Sequence, residues 1–315
     1  MIYVEMQGRC GNQLFRYAFA RYLQEIIGEE LTISFNEIKH HNGKNGWVNE
    51  LENFNVVPYY LYKKDGKIMS NETSLKQKII GGIYLTYLKM IDGNTRAQKV
   101  KKSYKFQNIL SKNGIYWLRE GFYPYKYFEN KKCIISGGFE CKKFWENDKL
   151  NIRDKLLLEL TPKNSIMGEN KKIYEEINNS ESVCINVRRG DFLASDNKES
   201  FAVCTEKYFK EAYEISRKLI KNGKYFVFSD DINWCKENMT FIENAEFVQD
   251  GMPPYETLRL MYSCKHFIIS NSTFSWWGQY LSRNKNKIVI SPSRWNNDGF
   301  DSPLIDYDRW VLVDV

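Results

Sequence analysis

The chain has 315 residues, 43% of them hydrophobic, enough to bury a full core; at about 150 residues per domain this length predicts two domains rather than one. Its formal charge of +7 suits an anionic ligand or surface, but no segment matches a nucleic-acid-binding module, so no nucleic acid is expected as a partner. Seven scattered cysteines, with neither a CxxC pair nor zinc spacing, read as free thiols in a reducing cytosol, and the absence of a leader or of a run of about 18 apolar residues adds to the expectation of an intracellular protein.

Ile2 to Met6 reads as a strand, Gln7 to Asn12 as a glycine-bearing turn and Gln13 to Ile27 as a helix, since Leu14, Phe15, Ala18, Phe19, Tyr22 and Leu23 recur at helical spacing. Leu31 to Phe35 closes this βαβ unit, and the Gly/Asn-rich stretch His40 to Gly46 reads as a loop. Residues 59–112 stand apart as a basic helical insertion, with twelve Lys/Arg against three Asp/Glu. Within it Leu75, Ile79, Ile80, Ile83, Tyr84, Tyr87, Leu88 and Ile91 make one helical face, expected to dock on the core, with a partner or an anionic membrane surface as the alternatives. Cys133 to Ser136 reads as a strand leading into Gly137-Gly138-Phe139-Glu140. Asp148 to Leu160 reads as a connecting helix stopped by Thr161-Pro162, which divides the chain into 1–160 and 161–315.

In the second half, strands at Val183 to Val187, Tyr225 to Ser229, Ala245 to Val248, Phe267 to Ser270 and Lys287 to Ile290 alternate with helices at Glu206 to Lys221, Ile232 to Met239, Pro254 to Ser263 and Ser275 to Ser282. That order predicts a parallel doubly wound sheet, with ligands at the C-terminal ends of its strands.

Three of those ends carry chemistry. Val183-Cys184-Ile185-Asn186-Val187 runs into Arg188-Arg189-Gly190-Asp191, where two planar guanidinium forks suit phosphate oxygens. Phe226-Val227-Phe228-Ser229 runs into Asp230-Asp231, one of which would accept from a guanine edge or a ribose hydroxyl while the other caps the helix from Ile232. Ile268-Ile269-Ser270-Asn271-Ser272-Thr273-Phe274-Ser275 brings hydroxyls, amides and a helix N-terminus to one anion site. His40, His41 and His266 lie away from carboxylate clusters, and Asp230-Asp231 lacks Asp-x-Asp spacing, so no metal is expected. Arginines and a helix N-terminus would then stabilise a departing diphosphate.

Gly8-Arg9-Cys10-Gly11-Asn12-Gln13-Leu14-Phe15-Arg16-Tyr17-Ala18-Phe19-Ala20, Val187 to Phe192, Phe228 to Asp231 and Ser270 to Gly278 together resemble the family-11 glycosyltransferases, the α-1,2-fucosyltransferases. Phe139-Glu140 and Pro303 to Trp310 are weaker echoes, and residues 59–112 are not covered. The resemblance implies an α/β GT-B fold of two Rossmann-like domains facing each other across a cleft. It places GDP-fucose on the C-terminal domain and a galactose-containing oligosaccharide or lipid-linked glycan acceptor on the N-terminal one. The implied reaction is inverting, metal-independent transfer of L-fucose to a galactoside hydroxyl, at O2, in cell-surface polysaccharide biosynthesis. The implied setting is the cytoplasm, or the inner face of a membrane touched through 59–112.

Carried over residue by residue, Arg188 would grip the diphosphate, Arg189 support the loop or the donor, Asp230 read guanine or ribose, and Ser272, Thr273 and Phe274 hold the phosphates and flank the base. Asn186 stands where the family usually has histidine; it can donate to the nucleotide but cannot exchange a proton, which leaves Asp191 as the candidate general base, with a structural pairing to Arg189 or to a neighbouring backbone amide as its alternative. Gly11, Asn12 and Gln13 would contact the acceptor or the donor phosphate, with an N-cap as the alternative for Asn12. Two other readings stay open: another nucleotide-sugar donor on the same fold, and a nucleotide-sugar-binding protein without turnover.

Overall fold

Five short strands, β1 (Ile2–Glu5), β2 (Leu31–Ser34), β3 (Tyr60–Leu61), β4 (Ile115–Leu118) and β5 (Cys133–Gly137), pair in parallel in the order β3-β2-β1-β5-β4. They belong to the first of two units, Met1–Thr161 and Pro162–Val315, in a computed structural model that describes residues 1–41, 43, 46–91, 93, 95–127, 130–146 and 149–315. Parallel neighbours need a crossover, and α1 (Cys10–Ile27) provides the first one. It buries Leu14, Phe15, Ala18, Phe19 and Leu23 and stops at Gly28, whose φ of 68° is the left-handed C-cap that glycine adopts without strain. The helix begins three residues before the expected Gln13, so Gly11 and Asn12 lie in its first turn.

After β2, α2 (Asn36–His41) takes the start of the expected loop; residues 42, 44 and 45 of that loop lie outside the described ones. Past the short α3 (Ile68–Asn71), the basic region folds as two helices, α4 (Leu75–Met90) and α5 (Arg96–Lys112), each opened by a capping box, Ser74 with Gln77 and Thr95 with Gln98. Tyr84 and Tyr87 on α4 meet Phe106 on α5 at ring distances of 5.6 and 4.8 Å. Only part of the eight-residue docking face expected on α4 packs: Ile80, Tyr84 and Leu88 cluster with Leu110 and Ile115, and Ile91 is buried. Tyr84 is buried together with Gln77 and Gly81, whereas Leu75, Ile79 and Ile83 are 77, 57 and 55% exposed. Gln77 is drawn to the same side by donating to the Asn113 carbonyl at 2.8 Å. α6 (Ile152–Glu159) closes the unit, held to α1 where Tyr17 and Arg21 both donate to Glu159. Asp148, the expected start of this helix, lies outside the described residues.

The second unit has six parallel strands, β6 (Glu181–Val187), β7 (Gly223–Ser229), β8 (Ala245–Phe247), β9 (His266–Ile268), β10 (Val289–Pro292) and β11 (Val311–Val313), in the order β11-β10-β9-β6-β7-β8. Its helices are α7 (Lys171–Asn178), α8 (Ser195–Phe201), α9 (Glu206–Leu219), α10 (Ile232–Asn238), α11 (Pro254–Ser263) and α12 (Thr273–Leu281). The chain winds outward from β6 through β7 to β8, returns to β9 on the other edge of β6, and winds outward again. The reversal puts a topological switch point at β6 and β9, where open α/β sheets take ligands. Val183, Ile185, Val187, Tyr208, Val227 and Ile268 form the core beneath it.

Candidate functional site

β6 and β7 run in register from Glu181 opposite Gly223 to Val187 opposite Ser229, so the residues that follow each strand emerge side by side. Arg188 reaches two carboxylates there: Nη1 is 2.6 Å from Asp230 Oδ2 and Nη2 is 2.5 Å from Asp191 Oδ1. The backbone N–H of Arg189 donates to Asp230 Oδ1 at 2.9 Å, while its Nε donates to Asp231 Oδ2 at 3.0 Å and its guanidinium lies 3.6 Å from the centre of the Trp234 ring. Asp231 also accepts from the Trp234 N–H at 3.3 Å and so caps α10, leaving Asp230 as the carboxylate that ties the two arginines. Gly190 is required by this approach, because a Cβ there would lie 2.5 Å from Asp230 Oδ2.

Two expectations are corrected by this geometry. The strand ends do not form a bare electropositive clamp: two guanidiniums face three carboxylates, because register brings Asp230 and Asp231 within ion-pair distance of Arg188 and Arg189. The partner of Asp191 is Arg188, not Arg189.

β9 pairs with the other edge of β6, Ile185 opposite Ile268, which brings the third tip alongside. The tips are joined from below by Asn186, which is buried and whose Oδ1 accepts from the hydroxyls of Ser275 and of Ser270, the latter at 3.5 Å. Its Nδ2 is directed at Met261 Sδ, 3.8 Å away, so the expected bond from Asn186 to a nucleotide gives way to a role in fixing β6 to the start of α12. Ser272 caps α12 by accepting from the Phe274 N–H at 3.3 Å, and Thr273 and Phe274 are half-buried in its first turn. Beside them Asn271 donates to the carbonyls of Phe201 and Trp295 at 3.0 and 2.9 Å, and its buried Oδ1 has no hydrogen-bond partner among the described residues.

The first unit has its own strand end next to a helix start. Gly8, at φ 80°, turns the chain into α1, and Asn12 Nδ2 donates to Glu140 Oε1 at 3.2 Å. Gln13, expected to contact a substrate, is 0% exposed. Its Nε2 donates to the carbonyls of Gly8 and Val48 at 2.9 and 2.7 Å and its Oε1 accepts from the Glu50 N–H, so it pins the loops from a fully buried position. Glu140 follows Phe139, whose φ of 53° is uncommon for a large residue and is held by a ring stacked on Phe19 at 3.9 Å. Burial pushes the Glu140 carboxyl up to about 7 against the opposing pull of Arg16.

The family model for glycosyl transferase family 11 matches residues 1–313. The chain belongs to glycosyl transferase family 11. This family-11 chain is 32% identical over 188 residues to the alpha-1,2-colitosyltransferase of Escherichia coli, a match that covers 57% of this chain and 64% of that protein, less than two thirds of its length. To the O-antigen biosynthesis glycosyltransferase WbnK of Escherichia coli it is 24% identical over 98% of this chain and 99% of the relative. Among solved structures, fucosyltransferase NodZ from Bradyrhizobium superposes with a TM-score of 0.52 at 13% identity, covering 88% of this chain and 91% of that one; a NodZ crystal has also been soaked with GDP-fucose. At such identity the likeness is one of fold, the α/β GT-B class with Rossmann-like parallel sheets.

Of the residues singled out in this family-11 chain, Arg188, Arg189, Asp191 and Asp230 gather at two adjoining strand ends, with Ser272, Thr273 and Phe274 at the third. Asn186 lies beneath them, while Gly11, Asn12 and Gln13 belong to the first unit. Glu140 was missed as a chemical group. Its signal was present, an apolar strand running through two glycines into Phe-Glu, the same pattern of strand end and polar tip that marked Arg188.

Proposed function

We propose that this family-11 glycosyltransferase transfers L-fucose from GDP-fucose to O2 of a galactose-containing glycan, with inversion and without a metal. The observation that carries the reading is Arg188, oriented by Asp230 and Asp191 at a strand end beside the N-terminus of α12. An acceptor oxygen attacks the anomeric carbon as the bond from that carbon to the β-phosphate oxygen breaks, and the electron pair leaves with GDP. The charge that grows on the diphosphate is met by Arg188 and by the first N–H groups of α12, with Ser272 and Thr273 alongside and Phe274 flanking the base. Asp230 accepts from guanine or ribose, and Arg189, fixed to Asp231 and Trp234, supports the loop.

The hydroxyl proton needs a carboxylate, and Asp191, beside Arg188 at the same strand end, is the candidate base. In the first unit, Asn12 and Glu140, with Gly11 in the same turn, would take acceptor hydroxyls.

A second donor is supported by one observation, the 32% identity to a protein named for colitose, which is L-fucose without its 3-hydroxyl. The test is incubation with GDP-fucose or GDP-colitose, a set of galactosides and a chelator, with the product linkage assigned by NMR. Failure of transfer with chelator present, restored by a divalent cation, would refute the metal-independent mechanism; binding of GDP with no transfer to any acceptor would leave a nucleotide-sugar-binding protein. If the acceptor is lipid-linked, the enzyme works in the cytoplasm at a membrane face, and region 59–112 makes the contact.

A further inference from the structure

The transfer reaction makes no use of α4, yet this helix holds five of the thirteen large hydrophobic residues exposed among the described ones: Leu75, Ile79, Ile83, Leu85 and Met90. At about 100° per residue, Leu75, Ile79, Ile83 and Met90 fall within a stripe about 80° wide, on the side opposite the buried Gln77, Gly81 and Tyr84. Lys76 borders the stripe on one side, and Lys78 and Lys89 border it on the other. Neither α4 nor α5 contains an acidic residue, and residues 75–112 hold nine Lys/Arg against one Asp/Glu.

We propose that the exposed face of α4 lies flat on an anionic lipid bilayer, with Leu75, Ile79, Ile83 and Met90 at the boundary of the acyl chains and the flanking lysines reaching lipid phosphates. An apolar stripe edged by long cationic side chains is the arrangement that an interface between hydrocarbon and negative headgroups accommodates, because the methylene stems stay in the apolar layer while the ammonium groups rise to the phosphates. A second copy of the chain is the less suitable occupant, since it would set one lysine-edged face against another. The helix is also prepared in water: its capping box and its packing on Phe106 and Trp117 fix it before any lipid arrives. Among the described residues no helix is long and apolar enough to cross a membrane, so contact at the surface is the mode that α4 offers. The inference rests on reading 59–112 as the membrane-facing region and is independent of donor and acceptor.

The test is sedimentation of the full chain with vesicles of phosphatidylcholine containing phosphatidylglycerol, against vesicles of phosphatidylcholine alone. The expected result is recovery with the anionic vesicles that falls as salt rises. Partition should weaken at least tenfold both in the triple variant Ile79→Gln, Ile83→Gln, Met90→Gln and in Lys76→Gln, Lys78→Gln, Lys89→Gln. These positions are exposed, and unchanged circular dichroism confirms that the fold survives. Equal recovery with both vesicle types, recovery with neither, or wild-type partition of either variant overturns the proposal. So does a dimer, seen by light scattering, that the apolar variant dissolves, which would give the face to a second copy. The thermal shift caused by GDP, read on the same samples, is expected to be equal in all three proteins and reports separately on the donor reading.

Discussion

Arg188 and Asp230 meet across two neighbouring strands, Nη1 to Oδ2 at 2.6 Å, while the second oxygen of the same carboxylate takes the backbone N–H of Arg189. One side chain from β7 therefore sets both the direction of a guanidinium and the path of the backbone after β6. Replacing Asp230 by Asn keeps the shape but removes the charge that aims Arg188, and GDP affinity measured by calorimetry should fall. Retained affinity would mean that Arg188 needs no such aiming.

Arg188→Ala should abolish transfer and weaken GDP binding by about 1.5 to 3 kcal/mol, the usual contribution of a hydrogen bond to a charged group. Arg188→Lys should not restore it, because an ammonium cannot reproduce a planar fork shared between two oxygens. An active alanine variant would remove the arginine from the reaction.

Asn186→Ala should act on stability rather than on ligand contact. It leaves the buried hydroxyls of Ser270 and Ser275 without their shared acceptor, a loss of about 1 to 3 kcal/mol in urea unfolding. A variant as stable as the parent but with lost GDP affinity would reverse this assignment.

Asp191→Asn should lower the transfer rate by a factor of about 100 to 10,000, measured at saturating GDP-fucose. Glu140→Gln, measured in parallel, should retain the larger share of the rate. The opposite ranking would remove the base role from Asp191.

Glu50 gives a stability test with a defined sign. It is 2% exposed, and burial raises its carboxyl from 4.5 to about 7. The unfolded chain releases the proton at lower pH than the folded one, so stability falls as pH rises from 4.5 to about 7 and the loss persists above that. Glu50→Gln should match the parent below about pH 4.5 and exceed it near pH 8, by at most about 3 kcal/mol in urea unfolding. Equal stabilities near pH 8 would contradict the shift.

The strand ends of the second half were legible because each follows an apolar run long enough to be recognised, and their polar residues are contiguous in sequence. Their pairing was not. That Asp230 holds Arg188 depends on the register of β6 against β7, which no local pattern encodes. Gln13 looked like a ligand because it stands at a helix start in a glycine-rich turn; that the loop at Val48 would fold over it and consume its amide is a long-range fact. On α4, apolar residues occupy both sides, so periodicity could not say which would dock. The two-residue β3 and three-residue β11 are too short to show alternation at all.

The close approach of the Arg189 guanidinium to the Trp234 indole, with its Nε bonded to Asp231, makes that cation part of the wall. A doubled arginine in the sequence therefore need not mean a doubled grip: one member stiffens the frame so that its neighbour, held by two carboxylates and 5.6 Å from the centre of the Phe192 ring, is the one able to exchange partners when an anion arrives.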